Sequence, residues 1–260
     1  HFQYPFVASL YHMPVGIQHR RAHTCAGTLV APTWVLTAAH CFDATANRPS
    51  ATEYSALLCA HDVYSNVRHS CTESIRVVEQ ICHPQFVFPR NDICLLRLQS
   101  ELTCGADLFV NGRIPRLSTE APRDLVGTSA SIAGWGAVQN NPDVFPTVMH
   151  AAEVPIGDPA VCERQWNGTY APGMFCAGHS TGGADSCFAD SGGPLFLDRG
   201  QAGIRLVGIV SYGAETCGLA SQMGVYADVD YYRGWIESIV PTLAEPSLPP
   251  LPPASPPRPP

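Results

Sequence analysis

Basic residues are scarce in this chain, and they form no run. Its 260 residues include 15 Lys and Arg against 22 Asp and Glu, which gives a formal net charge of -7. Nucleic-acid-binding proteins neutralise phosphates with clustered Lys and Arg, so this composition argues against a nucleic acid partner. A cationic substrate is mildly favoured instead.

Long apolar runs are missing as well. A membrane-spanning helix needs roughly 18 to 20 consecutive apolar residues, and no run in this sequence approaches that length. The sequence therefore predicts no membrane span. It also contains no internal repeat and, before its last segment, no long stretch of helical periodicity.

The two ends of the chain differ from its middle. No signal-like segment with basic and apolar regions precedes the fold at His1, and we expect the native protein to carry further residues upstream. Residues 241–260 are dominated by proline, which lacks an amide donor and fixes φ, so they predict a polyproline II tail. We interpret this tail as a linker; a ligand for proline-binding domains is the alternative.

Cysteine, glycine and proline are abundant. The 11 cysteines suggest an oxidising compartment, so we expect a secreted or extracellular protein. The 22 glycines and 24 prolines indicate many turns between short strands, and short β-branched runs predict those strands near residues 29–30, 34–36, 74–81, 130–135 and 206–212. This pattern favours an all-β barrel or sandwich.

One helix is predicted at the end of the folded region, over residues 230–240. Apolar residues recur there at spacings of three and four, and Asp230 is positioned to cap the helix. The apolar residues are Tyr232, Trp235, Ile236, Ile239 and Val240.

Three short motifs carry the chemistry. Residues 36–41 read Leu-Thr-Ala-Ala-His-Cys, residues 91–96 read Asn-Asp-Ile-Cys-Leu-Leu, and residues 185–195 place Ser191 beside a Gly-Gly turn. A serine hydroxyl needs a base with a pKa near neutrality, and a histidine needs an acid that holds its tautomer. His40, Asp92 and Ser191 are the candidates. Subtilisin-like chains carry the order Asp, His, Ser and α/β-hydrolases the order Ser, acid, His, so the order His, Asp, Ser discriminates between these classes.

On these motifs the chain resembles the chymotrypsin/trypsin-like serine endopeptidases, from about Tyr4 to Val240. The resemblance implies a domain over residues 1–240 that consists of two six-stranded antiparallel β-barrels with the active site between them. The first barrel would cover about residues 1–105, the second about 115–229, and the C-terminal helix residues 230–240. The chain has ten histidines, and only His40 lies in the family's sequence context.

The resemblance also assigns catalytic roles. Ser191 is the nucleophile that forms an acyl-enzyme, His40 transfers the proton, and Asp92 orients His40. The backbone N–H groups of Ala189 and Ser191 form the oxyanion hole. Glycine is usual at the position of Ala189, so its methyl group is expected to slow catalysis if the turn needs a glycine-like φ.

Substrate specificity follows from the residues around the expected primary pocket. Asp185 matches the acid at the pocket floor of trypsin-like members, and Ser211, Gly213 and Gly224 match substrate-binding wall positions. Arg or Lys should therefore enter. The expected partners are polypeptide substrates and proteinaceous inhibitors, and the resemblance implies no cofactor and no catalytic metal. Phe188 lies at the rim and favours apolar groups near the scissile bond.

Asp190 has a separate role in the family. The equivalent acid pairs with a new amino terminus that is released when the zymogen is cleaved. In the family this terminus is an Ile-Val-Gly-Gly-like segment upstream of the stretch that residues 2–7 resemble, and this sequence begins between the two. We therefore expect the chain to be zymogen-like or poorly ordered around its pocket. A buried carboxylate without a partner would be costly.

The resemblance carries over three disulfides, Cys25–Cys41, Cys162–Cys176 and Cys187–Cys217. Five cysteines remain, at positions 59, 71, 82, 94 and 104. Because five is odd, at least one of them is a free thiol or bonds another chain or a propeptide. We expect Cys59 to pair with Cys71. That bridge would replace a calcium site found in some trypsins, for which Ala60 lacks the oxygen.

Three further possibilities stay open: a zinc site, a glycosylation site and a function without catalysis. Cys59 and Cys71 with His61 and His69 form a ligand set for structural zinc, although the short spacings are unusual. Asn167 begins the one sequon for N-glycosylation, Asn-Gly-Thr, which matters only in a secreted eukaryotic protein. Finally, a catalytically weak or inactive homologue that acts as a binding protein would share the same fold.

Overall fold

The computed structural model describes residues 4–12, 22–64, 70–139 and 143–244. Most of its regular structure is antiparallel β-sheet, as the composition and the resemblance predicted. In chain order the strands are β1 (Val7–His12), β2 (Ala22–Ala31), β3 (Trp34–Thr37), β4 (Tyr54–Leu58), β5 (Glu73–Cys82), β6 (Cys94–Leu98), β7 (Arg116–Leu117), β8 (Ser129–Gly134), β9 (His150–Pro155), β10 (Met174–Ala177), β11 (Pro194–Asp198), β12 (Ile204–Tyr212) and β13 (Gly224–Asp228). The five predicted strand segments all lie within or overlap these strands.

The first six strands close into a barrel with the order β1-β2-β3-β6-β5-β4, and every neighbouring pair is antiparallel. Side chains along a strand alternate between the two faces, so Ile75 and Val77 of β5 lie inside while Arg76 points outward. The barrel interior is aliphatic and fully buried, with Leu10 and Leu36 among its members.

The second barrel has the strand order β10-β13-β12-β11-β8-β9. An isolated antiparallel bridge between Ile156 and Ala177 connects the two ends of this sheet. The short strand β7 pairs in parallel with β12 and lies on the connection between the barrels. The structure therefore confirms the predicted fold class, two six-stranded antiparallel barrels.

Three α-helices are described: α1 (Gly105–Val110), α2 (Pro159–Gln165) and α3 (Val229–Ile239). The C-terminal helix α3 was predicted, but the predicted cap at Asp230 is wrong. Asp228, and not Asp230, accepts hydrogen bonds from the backbone N–H groups of residues 230 and 231. The helix therefore begins one residue earlier than expected, and Asp230 instead pairs with Arg233 on the first turn. The helix buries Val229, Tyr232 and Ile236 against the core.

No helix in the described part of the chain has the length and apolar character that crossing a bilayer requires. The polyproline II prediction for residues 241–260 is wrong at its start, because Pro241–Leu243 form a 3₁₀ turn in which the Ala244 N–H donates to the Pro241 carbonyl. Residues 245–260 lie outside the described residues.

Five disulfides connect these elements. Three are the pairs expected from the resemblance, Cys25–Cys41, Cys162–Cys176 and Cys187–Cys217. The other two are Cys82–Cys94, which links β5 to β6, and Cys71–Cys104.

The predicted Cys59–Cys71 bridge is wrong. The segment after β6 returns to the end of the β4–β5 hairpin, and this brings Cys104 within bonding reach of Cys71, with 5.6 Å between their Cα atoms. Cys59 keeps a buried thiol. Of the proposed zinc ligands, His69 lies outside the described residues.

Candidate active site

The first barrel places His40 beside Asp92. Strand β3 ends at Thr37, which pairs with Cys94 at the start of β6, so the turn after β3 and the residues before β6 are neighbours. His40 lies in a short 3₁₀ turn, Ala39–Phe42, directly after β3. Its Nδ1 donates to one carboxylate oxygen of Asp92 at 2.7 Å, and its backbone N–H donates to the other at 2.8 Å. Nδ1 therefore carries the proton, and Nε2 is left as the basic nitrogen.

Asp92 is nearly inaccessible, with 1% of its surface exposed. The Ser211 hydroxyl, which comes from strand β12 of the second barrel, donates to the same oxygen that accepts from His40, at 2.5 Å. Hydrogen bonds from three groups thus compensate for the burial of this carboxylate. In the structure the Ser211 hydroxyl holds Asp92 in place, and the role of Ser211 in substrate binding stays a prediction.

The turn that carries Ser191 packs directly against the first barrel. The Ser191 carbonyl accepts the backbone N–H of Ala26 at 2.8 Å. Gly192 follows with φ of 81°, and a Cβ at this position would overlap Thr37 and the Ala26 carbonyl, so only glycine fits. Among the described residues the Ser191 hydroxyl makes no hydrogen bond to His40; such bonds are commonly loose in unliganded enzymes and shorten when substrate binds.

The turn that carries Ala189, a predicted oxyanion donor, has the glycine-like backbone conformation for which the sequence predicted slower catalysis. Ala189 has φ of 74°, a left-handed value that is costly for a residue with a Cβ. Its carbonyl accepts a hydrogen bond from His23 Nε2 at 2.9 Å. This contact fixes the orientation of the peptide that follows Ala189.

His23 and Ser9 support the Ala189 turn, and the sequence analysis did not identify them. The Ser9 hydroxyl lies 2.8 Å from His23 Nδ1. Because the Ala189 carbonyl can only accept, Nε2 carries the proton and Nδ1 accepts from Ser9. Burial lowers the pKa of His23 to about 4, which agrees with a neutral ring. No motif surrounds His23, and only the fold brings it to the Ala189 turn.

Asp185 lies at the predicted primary pocket. One of its oxygens accepts the Gly218 N–H at 2.9 Å, whereas Oδ1 is buried and has no hydrogen-bond partner among the described residues. Burial raises the pKa of this carboxyl. Gly224 lies against it, because a Cβ there would be 3.1 Å from Oδ1, and Gly213 is adjacent to Gly224. The two glycines therefore leave room beside an incompletely bonded acid.

Asp190 is partly buried in the turn before β11 and borders a cavity of about 270 Å³. Its two oxygens accept backbone N–H groups from Gly136 at 2.8 Å and Cys187 at 3.0 Å. Burial raises the pKa of Asp190 to about 6. A Cβ on Gly134 or Gly136 would overlap its carboxyl group. The same cavity extends along residues 183–187, so it reaches the segment that carries Asp185.

An aromatic side chain, Phe88, packs beside His40 and begins a chain of aromatic contacts. Phe88 lies 5.5 Å from His40 and 6.1 Å from Tyr212, measured between ring centroids, and Trp166 packs against Tyr212 at 5.1 Å. Phe88 is about half exposed, as is Phe188 at the predicted rim. Phe88 was not identified from the sequence, because the loop that carries it has no distinguishing motif.

The sequon at Asn167 lies in an exposed turn after α2. The Thr169 hydroxyl donates to the Trp166 carbonyl at 3.0 Å. The position is thus at the surface, as an acceptor for N-glycosylation requires.

Two barrels that contribute His40 and Asp92 from one side and Ser191 from the other define a protein of the chymotrypsin-like serine hydrolase class. Residues 5–236 match the family model described as Trypsin, and the chain therefore belongs to the trypsin family of serine endopeptidases.

Known relatives agree with this assignment. Kallikrein-14 of Homo sapiens is 37% identical over 221 residues, which cover 84% of this chain and 74% of that protein. Kallikrein-8 of Mus musculus is 36% identical over 82% of this chain and 75% of that protein. A solved structure of neuropsin, a serine protease expressed in the limbic system of mouse brain, has a TM-score of 0.74 and 34% identity, and the match covers 92% of this chain and 96% of the neuropsin chain.

Proposed function

We propose that this protein is an active endopeptidase that cleaves after Arg or Lys. His40 Nε2 takes the proton of the Ser191 hydroxyl as the serine attacks the scissile carbonyl. The Nδ1 contact with Asp92 stabilises the imidazolium that forms. His40 then protonates the leaving amine, and water hydrolyses the acyl-enzyme by the same route.

The observation that carries the specificity is the buried, unbonded Oδ1 of Asp185. A guanidinium or ammonium group would supply the hydrogen bonds and the positive charge that this oxygen lacks. A neutral side chain would leave the acid desolvated and unpaired, which costs several kcal/mol for a charged group. Gly213 and Gly224 leave space for the long side chain of Arg or Lys.

The oxyanion would be bound by the N–H groups of Ala189 and Ser191. Each such donor contributes roughly 10² to 10³ in kcat. The left-handed φ of Ala189 favours the second candidate function, a catalytically weak homologue that binds polypeptides without efficient turnover. The complete His40, Asp92 and Ser211 network supports the active enzyme.

Asp190 is proposed to pair with an α-amino group released by proteolytic activation. Only backbone N–H groups bond its carboxylate among the described residues, and it faces a cavity large enough for an apolar amino-terminal segment. An ammonium group there would compensate for the burial of the acid.

The setting of the protein is proposed on the same physical grounds. Five disulfides are stable in an oxidising compartment, so we propose secretion, with Asn167 as a glycosylation site. Proteinaceous inhibitors that present Arg or Lys would bind the same cleft as substrates. We propose that the proline-rich segment after residue 244 is a linker.

Matched fluorogenic peptides that end in Arg, Lys, Phe or Ala test the specificity. We expect turnover after Arg and Lys to exceed that after Phe and Ala by at least about 10² in kcat/KM. The assay needs protein with an upstream segment that has been cleaved to give a new amino terminus.

Two variants complete this test. Ser191→Ala should abolish turnover on every peptide, and Asp185→Ser should remove the preference for Arg without preventing folding. Equal rates on all four peptides would contradict the role of Asp185. If no peptide is hydrolysed, the binding-protein function is favoured.

A further inference from the structure

Three cysteines meet at one end of the first barrel. Cys59 follows strand β4, Cys71 precedes strand β5, and Cys104 lies at the start of helix α1. Cys71 and Cys104 form a disulfide, and Cys59 keeps its thiol. The Cys59 sulfur is 3.5 Å from the Cys71 sulfur, and all three sulfurs lie within 4.8 Å of one another.

Backbone and side-chain hydrogen bonds hold this arrangement independently of the disulfide. In the β4–β5 hairpin Leu58 pairs with Glu73, and the Thr72 hydroxyl donates to the Cys59 carbonyl at 2.6 Å. The backbone N–H of Thr103 donates to the Glu73 carboxylate at 2.9 Å, which keeps the segment before Cys104 on the hairpin. The three sulfurs would therefore stay close if the disulfide opened.

The three positions differ in exposure. Cys59 is 1% exposed and Cys71 is 7% exposed, whereas Cys104 is partly exposed at the surface. Burial, with the negative charge of Glu73 as a smaller cause, raises the pKa of Cys59 to about 12. The thiol is therefore protonated at neutral pH, and reagents from solution have little access to it.

We propose that this cluster is a thiol-exchange site at which the reactive thiol passes from buried Cys59 to surface Cys104, where the protein takes up a thiol compound as a mixed disulfide. Cys59 loses its proton and its sulfur bonds to the Cys71 sulfur. The electron pair of the Cys71–Cys104 bond leaves with Cys104, which takes up a proton. The number of disulfides is unchanged, so the step needs no oxidant.

A small disulfide such as oxidised glutathione can then react at Cys104. The Cys104 sulfur bonds to one glutathione sulfur, and the second glutathione leaves as a thiol. A cysteine of another polypeptide chain that is already in a disulfide could be captured by the same step. The unpaired thiol of this sequence would thus belong to Cys59 before the exchange and to Cys104 after it, and Cys104 would react with compounds in solution.

Intact mass and non-reducing peptide mapping after incubation with oxidised glutathione test the proposal. We expect one glutathionyl group on the wild-type protein, located on Cys104, together with a new Cys59–Cys71 disulfide. The Cys82–Cys94 bridge should stay intact and serves as an internal control.

Two variants separate exchange from direct modification. Cys59→Gly removes the attacking thiol and suits the backbone, because Cys59 has φ of 50°. This variant should take up at least tenfold less glutathione than the wild type. In Cys104→Ala, Cys59 and Cys71 are both thiols, and oxidised glutathione should oxidise them to the Cys59–Cys71 bridge with release of two reduced glutathiones, so this variant should keep no adduct.

The other outcomes would overturn the proposal. A glutathionyl group on Cys59 with the Cys71–Cys104 bridge intact would show simple modification of the thiol. An adduct on Cys104 in Cys59→Gly would show that Cys59 is not the attacking group. The absence of any adduct on the folded wild type, when thiol titration of the denatured protein gives one thiol, would show that no exchange occurs.

Discussion

At the scale of single residues, Ala189 has the most consequential conformation in the site. Its left-handed φ costs about 1 to 2 kcal/mol for a residue with a Cβ. The conformation is kept because the Ala189 carbonyl is held by His23, and the Asp190 N–H that follows donates to the Cys187 carbonyl at 2.9 Å. The contacts of the turn thus maintain a left-handed conformation that alanine disfavours, at the position proposed to donate to the oxyanion.

Replacement of Ala189 by glycine should relieve this strain. We expect Ala189→Gly to stabilise the fold by about 1 kcal/mol. If the strain is greater in the transition state than in the enzyme–substrate complex, its relief should also raise kcat by about fivefold. Urea unfolding and peptide hydrolysis measure the two effects. Ala189→Ser keeps a Cβ and should give neither gain. A drop in kcat in the glycine variant would show that the methyl group assists catalysis.

Single-residue predictions from the sequence were possible where a local motif exists and were not possible where it does not. His40, Asp92 and Ser191 each lie in a short distinctive segment, and the structure brings their segments together. His23 is one of ten histidines and has no motif around it. Its contact with Ala189 joins residues far apart in sequence, so only the folded chain reveals it.

At the scale of elements, strand pairing decides where the candidate catalytic groups meet. The antiparallel register between β3 and β6 places His40 and Asp92 at one edge of the first barrel. Short apolar, β-branched runs predicted the strands, and spacings of three and four predicted α3. The cap of α3 was misassigned, because both Asp228 and Asp230 precede apolar helical residues and the sequence pattern does not distinguish them.

The structure predicts that Asp228 and Asp230 differ in their contributions to stability. Asp228→Ala removes the acceptor for the N–H groups of residues 230 and 231, and should lower the free energy of unfolding by about 1 kcal/mol. Asp228→Asn retains an N-cap acceptor and should cost less. Asp230→Ala loses an ion pair with Arg233 and should change the free energy of unfolding by less than about 0.5 kcal/mol. Urea unfolding of the three variants checks this order.

At the scale of the whole molecule, the Ser191 turn and the predicted primary pocket share one segment of the second barrel. Asp185 and Asp190 both lie on it, and the same cavity borders both of them. The sequence indicated the role of Asp190 only through the family resemblance. Neither the cavity nor the close fit of Gly134 and Gly136 to its carboxyl could be inferred from the sequence, since these residues come from separate parts of the chain.

The pKa of Asp190 makes amine binding in this cavity testable through pH. The folded-state pKa of about 6 lies above the ordinary value of 3.8, so the contribution of this carboxyl to stability is present below pH 3.8 and is lost as the pH rises through 6. The loss is on the order of 3 kcal/mol. An ammonium group in the cavity would offset this loss of stability, because the ammonium group pairs with the ionised Asp190 carboxylate.

A short apolar dipeptide with a free α-amino group, isoleucyl-valine, should therefore raise the Tm more at pH 7.5 than at pH 4.5. At pH 4.5 the Asp190 carboxyl is mostly protonated, and pairing with the ammonium group would first require it to lose that proton. The N-acetylated dipeptide has no charge to offer and is the matched control. Asp190→Asn should abolish the difference between the two pH values. An equal shift in Tm with the acetylated dipeptide would show that the cavity binds apolar side chains without pairing Asp190, and that activation does not depend on this carboxylate.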